Sequence, residues 1–266
     1  MADNVNESKN PAAVALGRLG GLGDNEERVN TDAKQIRKEV FGCEWCDGIP
    51  AFQRPPTGGS FYKFPPIIGA QGPAQLLFVG INPRRSDTNR ELHNWLMQSP
   101  DAFAQLAENR QQDGRPYVAH DGDEEHYRCH AVVVEGVFVG HERRFESKAA
   151  VTELYFCASE SGSELLELGR SPCAERYLSR VIDIVKPSIV IAVGWKAHNH
   201  LGQHFSDIIR CRSVRMEHPR YLRGLSNAEK QARLRPTIEE VVKILKNLRQ
   251  QSEGSGASER AACAQI

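Results

Sequence analysis

The chain has 266 residues, 40% hydrophobic and 26% charged, enough to bury one sizeable core with a few extensions, so one domain is the default. Its 34 basic side chains balance 34 acidic ones, so no global charge announces a polyanionic partner, although charge can still gather on one face. No apolar run approaches the roughly 18 residues that a membrane span needs, and the amino terminus lacks a basic region followed by an apolar one, so a soluble cytoplasmic protein with no membrane partner is expected. Seven cysteines, an odd count, argue against a disulfide framework and leave metal binding or plain burial.

Residues 1–30 are polar and Gly-rich and read as a disordered tail. From 31 onward, Thr31 or Asp32 can cap a helix running to about Phe41, with Ile36 and Val40 on one face. Cys43 and Cys46 follow, then a Pro/Gly-rich stretch (49–73) that suits an irregular wrap. An unbroken apolar run at 76–79 predicts a buried strand, and 89–97 and 99–110 predict helices. The β-branched run 131–139 predicts a strand or hairpin arm, and 151–157 another strand with a loop at 159–163. Ser171-Pro172 opens a helix to Val185; 188–193 is the clearest buried strand; a helix begins at Trp195; 213–217 is the last strand. Thr237 and Glu240 form a capping box for a final helix to about Arg249, and 251–266 read as a second disordered tail. Strands alternating with helices over 31–250 predict a three-layer α/β/α sandwich around a mostly parallel central sheet.

Three stretches carry residues suited to chemistry. Gly80-Ile81-Asn82-Pro83 leaves the carboxyl end of the first strand, where ligands bind in open α/β sheets. Gly80 admits a ligand to the backbone, and the Asn82 amide both donates and accepts. Cys43-x2-Cys46 and Cys157-x15-Cys173 can converge on one metal; the wide second pair favours an iron–sulfur cluster over zinc, with buried thiols as the plain alternative. His218-Pro219 sits at a strand exit among Arg210, Arg212, Arg215, Arg220 and Arg223, a local excess suited to phosphates. Tyr221, Leu222 and Leu225 are apolar enough to wedge into a base stack.

Together these residues resemble the uracil-DNA glycosylase superfamily over about residues 35–250, combining two of its branches. The cysteine spacing is similar to that of the iron–sulfur family four enzymes, and Gly80-Ile81-Asn82-Pro83 resembles the first motif of the mismatch-specific branch. His218-Pro219-Arg220-Tyr221-Leu222 resembles the second motif, 189–194 with Ala197 and Leu201 the third strand and its helix, and Gly114-Arg115-Pro116-Tyr117-Val118 the segment that supplies an aromatic platform. The resemblance implies a monofunctional glycosylase that flips out and releases a deaminated or damaged base, uracil or a variant such as hypoxanthine, in base excision repair. It implies that Asn82 orients the attacking water, His218 donates to the departing base, and Tyr117 stacks under it. Gly80, Ile81, Pro83, Arg84 and Glu153 would line the substrate site, while Arg220, Tyr221, Leu222 and Arg223 would hold DNA. Cys43, Cys46, Cys157 and Cys173 would carry a structural [4Fe–4S] cluster, with zinc as the alternative, and the protein would act on DNA as a monomer.

Two positions depart from the family pattern. Arg84 replaces a glycine, and Glu153 stands where the iron–sulfur branch has a base-reading asparagine. An ionised glutamate accepts hydrogen bonds but cannot donate to a uracil carbonyl, so Glu153 would favour a base edge rich in N–H groups unless it is protonated or points elsewhere. Two other readings stay open: a lesion- or nucleic-acid-binding module of the same fold without catalysis, and a zinc-stabilised α/β enzyme acting on a small molecule.

Overall fold

A computed structural model of the chain describes residues 28, 31–45, 63, 66, 68, 74–82, 124–139, 148–157, 159, 165, 169–207, 209 and 212–254. Helix α1 (31–41) leads to strand β1 (Leu76–Gly80), then α2 (Glu124–Val137), β2 (Ala149–Glu153), α3 (Pro172–Val185), β3 (Ile189–Val193), α4 (Trp195–His204), β4 (Arg212–Met216), a 3-10 turn (Pro219–Tyr221) and α5 (Asn227–Gly254). The four strands form one all-parallel sheet in the order β2-β1-β3-β4. β1 and β3 lie in the middle, buried at every position, which is why both read as unbroken apolar runs. β4 alternates at its carboxyl end, with Val214 and Met216 inward and Arg212, Ser213 and Arg215 exposed.

Helices cover both faces of the sheet. On one, Ile36 and Val40 of α1, Tyr177, Leu178 and Val181 of α3, and Ala197 and Leu201 of α4 pack on Leu77, Val79, Val190 and Ala192. On the other, Cys129, Val133 and Val134 of α2 and Leu234 and Val241 of α5 pack on Leu76, Phe78, Ile189, Ile191 and Val214. The α/β class and the parallel sheet therefore follow the expectation. No helix among the described residues is long and apolar enough to cross a membrane.

Two elements differ from their expected form. The run 131–139 is not a strand: its first seven residues complete helix α2. Each β-branched residue costs well under 1 kcal/mol of helix propensity, whereas burying a valine stabilises by about 1.5–3 kcal/mol, and Val133 and Val134 are both buried. Packing therefore overrides propensity. The last helix starts ten residues earlier than Thr237 suggests, so Pro236 lies inside it. Its capping box is Ser226 with Glu229: Glu229 Oε2 accepts from the Ser226 backbone N–H at 2.8 Å, and Ser226 Oγ accepts from the Glu229 N–H at 3.3 Å. Thr237 instead donates its hydroxyl to the Arg215 carbonyl at 3.1 Å, pinning α5 to β4.

Candidate functional site

Because all four strands run the same way, their carboxyl ends share one edge, and the candidate residues fall along it in sheet order. Glu153 ends β2, Gly80 ends β1 with Ile81 and Asn82 following, Gly194 follows β3, and His218 lies two residues past β4. Neighbouring strands are about 4.8 Å apart, so the strands bearing Asn82 and His218 are separated by roughly 10 Å, with the tip of β3 between them. Gly194 forms that tip at φ 90°, a conformation that other residues adopt only with strain. A Cβ there would lie 3.1 Å from His218 Cβ and 3.2 Å from Cδ2, so the imidazole leans over a bare backbone. The Gly194 N–H donates to the Met216 carbonyl at 2.9 Å and holds the two tips together.

The His218 ring has a defined tautomer. Its Nδ1 accepts the Arg220 backbone N–H at 3.1 Å as the cap of the 3-10 turn, which leaves Nε2 as the proton-bearing nitrogen of a neutral imidazole. Burial, and secondarily the Arg220 guanidinium, hold its pKa below the usual histidine value. Asn82 donates from Nδ2 to Ser159 Oγ at 2.8 Å, which fixes the orientation of its amide. Ile81 is half-buried against the core, and its carbonyl accepts from the Tyr155 N–H at 2.8 Å.

Glu153 does not behave as an ionised glutamate. It pairs with Gly80 across the β1–β2 ladder, and its carboxyl lies against the bare Cα of that glycine, where a Cβ would collide with it. The residue as a whole is partly exposed, but its carboxyl head is enclosed, and Oε2 is buried with no hydrogen-bond partner among the described residues. Burial pushes its pKa from 4.5 up to about 8. At neutral pH the group is a carboxylic acid, able to donate from O–H and accept at the carbonyl. Protonation is the condition under which the expected restriction to N–H-rich base edges would not apply, and burial moves Glu153 in that direction.

Three of the four candidate metal cysteines are described, and they border one region of core. Cys157 and Cys173 are buried, Cys43 half-buried, and none of the three is in a disulfide. Lys63 laces the segments together: its backbone bridges Cys157 in antiparallel fashion, while its buried ammonium donates to the carbonyls of Phe41, at 3.0 Å, and Cys43. Tyr177 lies beside them; burial raises its pKa, with Cys43 and Cys173 near enough to raise it further, and its hydroxyl is buried without a hydrogen-bond partner among the described residues. Cys173 sits in the first turn of α3, behind the Ser171 cap that accepts from Ala174 N–H at 3.2 Å. Among the described residues, no group of three or more His, Cys, Asp or Glu side chains is gathered closely enough to hold an ion, and Cys46 lies outside them. Pro83, Arg84 and Tyr117 also lie outside the described residues.

The loop after His218 corrects one expectation. Leu222 is fully buried in the core cluster that joins α2, α5 and the sheet, and Leu225 packs against the same cluster, so Leu222 is not a wedge available to DNA. Tyr221 is 58% exposed, with the Arg220 guanidinium 5.7 Å from its ring centroid and its ring edge-on to His218 at 6.4 Å. Arg220 and Arg223 are exposed. Ser159, Gly194, Trp195 and Lys63 were not legible as site residues. Only Gly194 carried a usable signal, a glycine directly after a buried strand. A scan against protein-family models gives no match to this chain, and a search of curated proteins gives no match either.

Proposed function

We propose that the protein is a monofunctional DNA glycosylase with a uracil-DNA glycosylase-like fold, releasing uracil or a related deaminated base. The observation that carries this reading is the pairing of Asn82 and His218 across the bare Gly194 tip, with the imidazole neutral and Nε2 its only N–H. The target nucleotide leaves the stack because its glycosidic bond is unreachable inside a duplex. As the C–N bond breaks, its electron pair moves onto the base, and Nε2–H of His218 donates a hydrogen bond to the developing anion. Asn82 Oδ1 orients the water whose oxygen bonds the sugar carbon, and the water proton neutralises the departing base. Neutral Glu153 offers an O–H donor beside a carbonyl acceptor, the same pair as an amide, which complements an N–H beside a carbonyl on uracil. Cys43, Cys46, Cys157 and Cys173 would hold a [4Fe–4S] cluster that braces the segments laced by Lys63; zinc is the alternative occupant.

The test is a panel of oligonucleotides carrying single uracil, hypoxanthine or xanthine, assayed for alkali-labile sites. Uracil should give the fastest release. Tight binding with no release of any base would favour a lesion-binding module instead. Iron and acid-labile sulfide near four per chain, with absorbance near 400 nm, are expected for protein purified without oxygen; stoichiometric zinc would replace the cluster.

A further inference from the structure

The reading of the chain as a DNA-acting protein leaves open how it meets the strand. The wedge that would fill the gap left by a flipped base in duplex DNA needs an exposed apolar side chain. In the loop after His218 the aliphatic candidates Leu222 and Leu225 are committed to the core, and Pro219 is buried. Among the described residues, what lies exposed beside His218 is flat and aromatic. Tyr221 is 58% exposed and edge-on to His218, and Trp195 is 52% exposed, directly following the glycine on which His218 rests. The flanking charge is positive: Arg220 lies over the Tyr221 ring, Arg223 is exposed, and Arg215 is exposed near the carboxyl end of β4. The adjacent acid, Glu217, is engaged by Arg233 at 2.8 Å.

We propose that Trp195 and Tyr221 flank His218 as a stacking platform for unpaired bases, so that the protein takes its substrate from single-stranded rather than duplex DNA. Exposed aromatic rings bordered by arginines are what single-strand binding uses, since every base has a face to stack while the backbone needs cations. Bases that are already unpaired also need no wedge to keep them apart.

The inference rests on the nucleic-acid reading of the site, and its test separates the two. Binding of a labelled, undamaged oligothymidylate to the full chain is measured by fluorescence anisotropy, single-stranded and annealed to its complement, alongside base release from a uracil oligonucleotide. The single strand should bind at least tenfold more tightly than the duplex. Trp195→Ala and Tyr221→Ala should each weaken single-strand binding by roughly 5- to 150-fold, and Trp195→Phe should restore most of it. Equal or tighter duplex binding, or alanine variants that bind the single strand like the parent, would overturn the platform even if uracil is released. Single-strand binding as described with no base released would leave the platform standing and remove the glycosylase.

Discussion

The two halves of the carboxyl edge differ in kind. At the β2–β1 tips, the Glu153 carboxyl is enclosed, its pKa rise comes from burial, and Asn82 is tied to Ser159. At the β3–β4 tips, His218 has Arg220 beside it, Tyr221 and Trp195 face solvent, and arginines line the outer strand. Among the described residues the first half is enclosed and dry, able to discriminate by hydrogen bonding because an unmatched partner there leaves a buried polar group unpaired. The second is wet and cationic, suited to gripping a charged backbone that carries little sequence information. A site divided in this way suits a ligand with one small neutral group and one long anionic part.

The largest expected effects fall where the halves meet. His218→Ala should lower single-turnover base release by about 10²–10³-fold, the cost of one donor to a developing anion, with DNA binding changed far less. Asn82→Ala should slow release while leaving binding nearly intact, which quench-flow and anisotropy would read separately. Wild-type rates in both variants would mean that the chemistry sits elsewhere. Gly194→Ala should act on both halves: the positive φ costs on the order of 1–3 kcal/mol for a residue with a side chain, and the new methyl meets the His218 ring. A thermal melt should show the lost stability, and release should slow through displaced imidazole rather than lost donor. Unchanged release in a destabilised Gly194→Ala protein would show that the position of His218 over the β3 tip is not critical.

Local signals in the chain made half of this arrangement legible. β1 and β3 were readable because central parallel strands are apolar throughout, and the α3 start because Ser171 and Pro172 act within a few residues of each other. Asn82 could be placed at a strand end for the same reason, and His218 by the short strand before it and the proline after it. What could not be read was set by long-range packing. The valines of α2 have strand propensity and are helical because α5 and the sheet bury them; Leu222 looks like a surface residue between Arg220 and Arg223 until the core closes over it. The state of Glu153 also depends on distance in sequence, since its carboxyl lies on Gly80, 73 positions earlier. A glutamate in an isolated strand is ionised, whereas burial against Gly80 shifts this one toward its acid form.

That enclosure gives the dry half a signature in stability against pH. The Glu153 carboxyl titrates at about 8 in the folded chain and near 4.5 when unfolded. Below 4.5 both states hold the proton and its contribution to stability is complete; between 4.5 and 8 only the folded state holds it, so raising the pH favours unfolding; above 8 the loss is finished. His200 has the opposite sign: burial and then His204 lower it to about 4 from 6.5, so its contribution is present above 6.5 and is lost as the pH falls. Between pH 6.5 and 8 the Glu153 slope therefore stands clear of that of His200. Across that interval the parent should lose about 1–2 kcal/mol relative to Glu153→Gln, read as a shift in urea midpoint at constant m. Glutamine keeps a donor and an acceptor but cannot ionise, so the variant should still release uracil and should lack the decline in rate that the parent shows as the pH passes 8. Parallel stability curves for the two proteins would mean that the Glu153 carboxyl is hydrated in solution, and the distinction between the dry and wet halves would fall with it.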